Sequence, residues 1–453
     1  MKTFLTISMC AFAVVSTSVP AFAQAVPQLP ASAVTQRTQA GIPQQVTLQQ
    51  AVDIAVEKSP VLAAARANLA ITQIPVQLAH SAILPNVSAN ASVTHNNSAT
   101  FQGRSFGSNT SRGLTADVRQ LIYDGGKVIA QLHQARANAL AGTNTYDRQL
   151  QTLAFNVAQS YYAELQAHSA TLLAKQVVHQ NEVQEALVQA QLRAGTASRV
   201  DLATAQLPTA QARVALVRAQ GQEATALAAF ANTLGLDADV AVAPAQSSAA
   251  TSTATQVPVL SYDQAVRRAM LLRPDYLAAQ STTLAAKYNV QVQRSGLYPT
   301  LTANGTYGTN STSAIGTNFA PSSSIGATLS IPIFDQGITR AQTEQAQAQL
   351  DLAQSQLDQT RLGVELNVRQ TLVGLVTAQG AVAQAQAELA KAQEILKATQ
   401  AQYRAGVTTL PLLLNAQVGL TQAETDELNA VYGLRQAEQT YVYALGESTL
   451  TTP

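Results

Sequence analysis

The 453-residue chain contains one cysteine, no tryptophan and few charges, and these absences exclude several classes of protein. The single cysteine, Cys10, lies inside an N-terminal apolar run, so the rest of the chain offers no thiol for a disulfide or a soft-metal site. Charged residues make up 12% of the chain and no basic patch is interleaved with aromatic residues, so nothing supports nucleic-acid binding. The five histidines are scattered without a metal-like spacing, and no nucleotide or nucleophile motif follows a strand pattern. The sequence therefore predicts no enzyme, no cofactor and no metal site.

The first 23 residues have the layout of a cleavable secretory signal. Lys2 precedes an apolar run from Phe4 to Val15, and the small-residue segment Ala21–Ala23 provides a cleavage site. No later run reaches the roughly 18 apolar residues that a membrane-spanning helix needs. The sequence thus predicts an exported protein without helical membrane spans, whose residues 24–46 form an extended segment.

Two copies of one long helical pattern organise the chain. Uninterrupted helices are predicted over 126–193 and 337–404, and both ends of the second lie 211 positions after those of the first. At about 1.5 Å per residue each helix would span roughly 100 Å, which no globular core can use. Shorter return helices are predicted over 197–235 and 410–446. The second long helix also has an apolar residue at every seventh position, as in helices that pack along their length: Val368, Leu375, Val382, Leu389, Leu396 and Tyr403.

A period of two replaces the helical period before each long helix. Polar and apolar residues alternate over about 86–122 and again over about 300–334, so each copy predicts a β-hairpin with strands of roughly ten residues. The first strand has the apolar face Val87, Ala89, Ala91 and Val93. This is the pattern of an outer-membrane strand, but the pattern alone fits a half-buried soluble hairpin equally well. Because four strands cannot close a barrel and lipid does not tolerate open edges, a membrane location requires several chains to share one barrel.

These patterns divide the chain into six segments. They are a signal peptide (1–23), an extended segment (24–46), a first repeat (47–236), a linker (237–259), a second repeat (260–446) and a tail (447–453). Each repeat is expected to open with one helix, the first running from about Thr47 through Ser59-Pro60 to Pro85 and the second from Ser261 through Arg273-Pro274 to Pro299.

The repeated landmarks resemble the TolC family of outer-membrane efflux channels. They are the Leu84-Pro85 pair, the junctions 122–126 and 333–337, and the Arg-Ala-Gly turns at 193–195 and 404–406. The resemblance covers about Thr47 to Gly446. It implies a mainly α fold whose long antiparallel hairpins form a periplasmic α-barrel, with four transmembrane β-strands per chain contributing to a shared 12-stranded barrel in a homotrimer.

The resemblance also implies a function, a location and partners. The protein would lie in the lipid of the cell outer membrane with a large periplasmic portion. It would be the passive exit duct of a tripartite efflux or type I secretion system, gated at its periplasmic helical tips. Its partners would be a periplasmic adaptor (membrane fusion) protein and an inner-membrane efflux pump or ABC exporter. The alternative is a structural coiled-coil surface protein without transport activity, which would stay soluble and monomeric without detergent.

Residue by residue, the resemblance implies two sets of functional positions. The strand–helix hinge would comprise Asp124, Gly125, Gly126, Asp335, Gly337, Pro85 and Pro299. The periplasmic tip, gate and adaptor contact would comprise Arg193, Gly195, Asp201, Tyr403, Arg404, Gly406, Thr408, Leu412 and Asn415. Thr408 stands where the family keeps a basic residue, and Leu412 and Asn415 stand where it keeps an acidic pair. We therefore expect an apolar and an amide ring at the gate, with Asp201 and the tip arginines as candidates for ion pairs between hairpins.

Overall fold

A computed structural model describes residues 45–96, 100–101, 104–105, 109–237, 242–245, 258–312 and 320–447. The predicted signal peptide lies outside the described residues, as do most of the extended segment, most of the linker and all of the tail except Glu447.

The first repeat contains two short helices, a hairpin, and a long helix that returns at a tip. Its elements are β1 (Gln45–Val46), α1 (Leu48–Lys58), α2 (Pro60–Ser81), β2 (Asn86–Asn96), β3 (Thr100–Phe101), β4 (Arg104–Ser105), β5 (Asn109–Tyr123), α3 (Lys127–Arg193) and α4 (Arg199–Thr233). The short strands β3 and β4 pair with each other between β2 and β5.

The second repeat has the same order of helices and main strands. It comprises α5 (Tyr262–Leu272), α6 (Pro274–Arg294), a 3-10 turn (Ser295–Leu297), β7 (Thr300–Thr312), β8 (Ala320–Ser330), α7 (Ile338–Arg404) and α8 (Leu410–Ala444), preceded by β6 (Ala243–Pro244) in the linker. The long helices α3 and α7 both have 67 residues, and the return helices α4 and α8 both have 35. Strand β6 pairs in parallel with β1, so the extended segment and the linker meet.

The single first helix expected in each repeat is two helices in the structure. Ser59 and Arg273 are extended, with ψ of 121° and 116°, because a residue before proline avoids the helical conformation. Pro60 and Pro274 then begin the next helix, where a missing N–H is no loss.

The second hairpin is shorter than the predicted 300–334. Strand β8 ends at Ser330, so Ile331 and Ile333 lie beyond it. Pro332 has no N–H for a ladder hydrogen bond, which explains why the strand stops short of it.

The four main strands form one antiparallel sheet in the order β2-β5-β7-β8. Ala89 pairs with Ala116, and Ala116 pairs with Tyr307, so the apolar residues of neighbouring strands lie on one face. Strands β2 and β8 form the two edges, and neither has a partner on its outer side among the described residues.

Helix α3 is central to the helical layer and contacts α1, α2, α4, α6 and α8. A hydrophobic core lies between α5, α7 and α8. It includes the heptad residues Val368 and Leu375, both fully buried, together with Tyr441. Burying a side chain of this size contributes about 1.5–3 kcal/mol, so these contacts fix the pairing of α7 with α8. No helix in the described part of the chain has an apolar stretch long enough to cross a bilayer.

A buried arginine, Arg273, stabilises the break between α5 and α6. Arg273 donates to both carboxylate oxygens of Asp275, at 3.1 and 2.6 Å. It also donates to the Asn367 side chain at 3.0 Å and to the Ala444 carbonyl at 3.3 Å, so it joins three helices. Arg148 of α3 approaches Asp275 at 3.9 Å, and one network thereby connects both repeats.

Candidate functional site

The predicted hinge residues lie where the sheet meets the long helices. Asp124 accepts hydrogen bonds from the backbone N–H groups of Gly126 and Val128, at 3.0 and 2.7 Å. Asp335 does the same for Gly337 and Thr339, at 3.1 and 2.8 Å. A carboxylate at a helix N-terminus satisfies otherwise unpaired N–H groups and opposes the positive end of the helix dipole.

Further contacts hold each hinge in position. Hydrogen bonds from the side chain and backbone of Thr339 lower the pKa of Asp335. Gln120 donates to the carbonyl of Ile83 at 2.9 Å, which ties β5 to the chain just before Pro85. Pro85 and Pro299 stand directly before β2 and β7, where they separate helix from strand.

Gly125 and Gly126 both have positive φ, 70° and 84°, but their surroundings differ. A Cβ added at Gly125 would lie 2.5 Å from the Cβ of Tyr298 and 3.1 Å from the carbonyl oxygen of Ser295. No atom lies within 4 Å of a Cβ added at Gly126. Gly125 therefore also lets the hinge of the first repeat contact the 3-10 turn and Tyr298 that follow α6 in the second.

This difference predicts that Gly125→Ala will destabilise the protein more than Gly126→Ala. Both substitutions impose a left-handed backbone on alanine, at about 1–2 kcal/mol, and Gly125→Ala adds a clash typical of overpacking, about 1–3 kcal/mol. Thermal unfolding of the detergent-solubilised protein should show the lower midpoint for Gly125→Ala. Equal unfolding midpoints for the two variants would mean that the close contact between Gly125 and Tyr298 does not contribute to stability.

Both hairpin tips turn at the predicted glycines. Gly195 has φ of 75°, and Thr196 donates its N–H to the carbonyl of Gln191 at 2.9 Å. Gly406 has φ of 72°, and Val407 donates to Gln402 at 2.9 Å. These bonds satisfy carbonyls at the ends of α3 and α7, and they require a residue that tolerates positive φ.

The return helices begin differently at the two tips. Ser198 and Asp201 form a reciprocal capping box on α4, with Ser198 N–H donating to Asp201 at 2.8 Å and Asp201 N–H donating to Ser198 Oγ at 3.1 Å. The hydrogen bonds that the backbone N–H and the hydroxyl of Ser198 donate to the carboxylate lower the pKa of Asp201. The N-cap of α8, Thr409, makes no side-chain cap bond, and half-exposed Leu412 stands where α4 has Asp201.

The expected ion pairs at the tips are not formed among the residues that the structure describes. The carboxylate of Asp201 bonds to Ser198 of its own helix. Arg193 and Arg404 are exposed, and neither forms a salt bridge with a carboxylate in the part of the chain that the structure describes.

An apolar cluster joins the two hairpins near their tips. Its buried members are Val188 of α3, Ala205 of α4, and Leu410 and Leu414 of α8. Tyr403 of α7 packs against the cluster and donates its hydroxyl to Gln191 Oε1 of α3 at 3.2 Å. Of the predicted gate residues, Tyr403 is therefore the one that connects the hairpins.

Leu412 and Asn415 lie elsewhere on the second hairpin. They line a groove of about 490 Å³ between α7 and α8, together with Ile395 and Lys391. Sequence reasoning missed the four buried members of the inter-hairpin cluster. The four-residue spacing of Leu410 and Leu414 was a signal, but it is shared by most apolar residues of a helix.

Two repeats, each with a long helical hairpin, are also found in a family of known proteins. The sequence pattern of the outer membrane efflux protein family matches residues 51–236 and 265–447, most of the chain. The chain belongs to this family. The predicted resemblance to outer-membrane efflux channels is thereby confirmed, with the outer-membrane location and the periplasmic portion. The family consists of efflux proteins, and the alternative of a coiled-coil surface protein has no support.

Relatives of this efflux protein agree along nearly the whole chain. Outer membrane efflux protein BepC of Brucella suis is 27% identical over 401 residues, covering 86% of this chain and 85% of that protein. Protein CyaE of Bordetella pertussis is 26% identical over 404 residues, covering 89% of this chain and 84% of that protein.

Solved structures share the fold at lower identity. A crystal structure of CusC has a TM-score of 0.79 at 20% identity, covering 89% of this chain and 93% of that one. The CmeC outer membrane channel of Campylobacter jejuni has a TM-score of 0.78 at 17% identity, covering 90% and 87%. The mainly helical fold of this efflux protein is therefore that of outer-membrane channels.

Proposed function

We propose that three copies of the chain form the exit duct of a tripartite efflux or type I secretion system. Their twelve strands would close one barrel in the outer membrane, and their helices would form a periplasmic tunnel. A periplasmic adaptor would contact the tips and connect the duct to an inner-membrane pump or ABC exporter. The observation that carries this proposal is the open four-stranded sheet, whose two edges cannot face lipid unpaired.

The internal repeat indicates how the edges would pair. Within the chain, the last strand of the first repeat, β5, pairs with the first strand of the second, β7. β8 is the last strand of the second repeat, so the equivalent pairing joins β8 of one copy to β2, the first strand of the first repeat, in the next copy. Adding 211 positions to Ala116 gives Ala327, and subtracting 214 from Tyr307 gives Val93. The known pair Ala116 and Tyr307 thus corresponds to Ala327 opposite Val93 of the next copy.

Two features of the sequence support this register. Leu329 falls opposite Ala91, so the apolar faces of the two strands coincide. Inside the chain Thr115 pairs with Gly308, where a Cβ would meet the Leu114 carbonyl at 2.5 Å. At the proposed junction the equivalent pair is Gly326 opposite Thr94, so threonine again faces glycine although the glycine has changed strand.

We expect the double variant Val93→Cys, Ala327→Cys to be linked into trimers by a short thiol-specific cross-linker. The sequence beyond the predicted signal has no other thiol, so the reaction is restricted to the introduced pair. Denaturing electrophoresis should show linked dimers and trimers. The control variant Val93→Cys, Thr328→Cys puts its second thiol on the opposite face and should link poorly. Monomers from both variants would contradict the proposed junction.

The tips would act as the gate of this duct. We propose that the cluster around Val188 and Leu414 holds the two hairpins of each chain together in the closed state. The exposed residues Arg193, Arg404 and Val407 would be available to the adaptor. Movement of the hairpins at Gly195 and Gly406 would then widen the tunnel while the barrel stays unchanged.

A further inference from the structure

The strands carry very few charges, and only some of these charges lie on the polar face of the sheet. Residues 86–123 and 300–330 contain one acidic residue, Asp117, and three arginines. Arg104 belongs to the separate β3–β4 pair, and Arg112 lies on the apolar face opposite Val93. Arg119 and Asp117 share the polar face of β5 with Thr115. They are therefore the charges that would line the lumen of the proposed barrel.

The carboxylate of Asp117 is held against the wall by neighbouring strands. Asn90 of β2 donates to it at 2.9 Å, Thr306 of β7 at 2.9 Å, and Thr115 of its own strand at 3.2 Å. Its short side chain and these three donors keep the negative charge at the sheet and partly compensate it.

Arg119 has none of these restraints. It is exposed, its cross-strand partners are Asn86 and Asn304, and no hydrogen bond or salt bridge engages its guanidinium among the described residues. Its long flexible side chain therefore extends the positive charge away from the wall. The matching positions of the second repeat, Thr328 and Ser330, are neutral, so each protomer contributes one such arginine.

We propose that Arg119 forms a ring of three positive charges in the barrel lumen that selects for anionic solutes, those bearing carboxylate or phosphate groups. This inference rests on the proposed trimeric barrel. Twelve strands about 4.8 Å apart, tilted by about 40°, give a backbone diameter of roughly 24 Å. Inward-extended guanidinium groups then lie within about one Debye length, ~8 Å, of the axis, so their field reaches any solute that passes. Asp117 lies about 7 Å further along the strand, closer to the wall, and weakens this field less than its charge alone suggests.

The test is block of single-channel current by inositol hexakisphosphate added on the extracellular side, which reaches the barrel without passing the periplasmic tips. The parent channel should be blocked, and Arg119→Gln should raise the half-blocking concentration at least about tenfold because three charges are lost. Ser330→Gln is the matched neutral control at the equivalent strand position and should leave block unchanged. Ser330→Arg would double the ring from three charges to six and should strengthen block.

Equal half-blocking concentrations for the parent and Arg119→Gln, in channels that conduct normally, would overturn the arginine ring and leave the duct intact. A parent protein that forms no channel at all would instead overturn the proposed duct, and the ring with it.

Discussion

The variant Val188→Asp should give a channel that stays open. Val188 is fully buried in the cluster that joins the two hairpins. An unpaired carboxylate in that position costs several kcal/mol, and the substitution also removes the apolar contacts that Val188 makes in the cluster. Separation of the hairpins hydrates the new charge without unfolding either helix pair. Single-channel recordings should show a several-fold higher resting conductance than the parent.

A nearby exposed position provides the control for this experiment. Val183 lies five residues earlier on α3 and its side chain is 57% exposed. Val183→Asp adds the same charge to the same helix outside the cluster and should conduct like the parent. If Val188→Asp also keeps the parent's low conductance, the apolar cluster does not hold the gate closed.

A large loss of stability is expected from Arg273→Met. Arg273 is 6% exposed, and its removal takes a donor from Asn367 and from the Ala444 carbonyl. Asp275 loses both hydrogen bonds from Arg273 and keeps the Tyr276 N–H and the more distant Arg148. Breaking a buried ion pair typically costs 3–5 kcal/mol; about 3 kcal/mol is expected here because the Asp275 side chain remains 32% exposed. Thermal unfolding of the solubilised protein should show a clearly lower midpoint.

Arg268→Met is the matched control for Arg273→Met. Arg268 pairs with Glu447, but its side chain is 54% exposed, and such surface pairs contribute about 0–1 kcal/mol. Equal effects of the two variants would mean that burial of the Arg273 network adds nothing to stability.

The effect of Arg273→Met should also depend on pH. Burial acts to raise the pKa of Asp275, but the hydrogen bonds from Arg273 and the charge of Arg148 outweigh it and hold the pKa below its usual value. A depressed folded-state pKa stabilises the fold above the unfolded carboxyl pKa, about 3.9, and that stabilisation is lost as the pH falls through the folded value. The difference between parent and variant should therefore be full at pH 7 and shrink below about pH 4.

Local signals made the helices and hinges predictable. Glycines with positive φ end α3 and α7, and Asp124 and Asp335 cap their beginnings. These features depend on a few neighbouring residues, so the sequence specifies them directly. The breaks at Ser59 and Arg273 were equally local, but the prediction gave the helical period more weight than the following prolines.

Contacts between distant segments were not predictable in the same way. Val188 and Leu410 meet only because two hairpins lie side by side, and nothing in their own helices distinguishes them from other apolar residues. The parallel pair β1 and β6 has two residues per strand, too few for a periodic signal. Leu412 was assigned to the gate by the family resemblance, and no local pattern indicated that its side chain lines the groove between α7 and α8.

The current carried by cross-linked trimers of Val93→Cys, Ala327→Cys in a planar lipid bilayer is the most direct test of the shared barrel. If β8 and β2 of neighbouring chains close one barrel, the purified trimer should insert and conduct in discrete steps, as the unlinked protein does. A cross-linked trimer that carries no current, while an assembly of another size conducts, would contradict the duct proposed here.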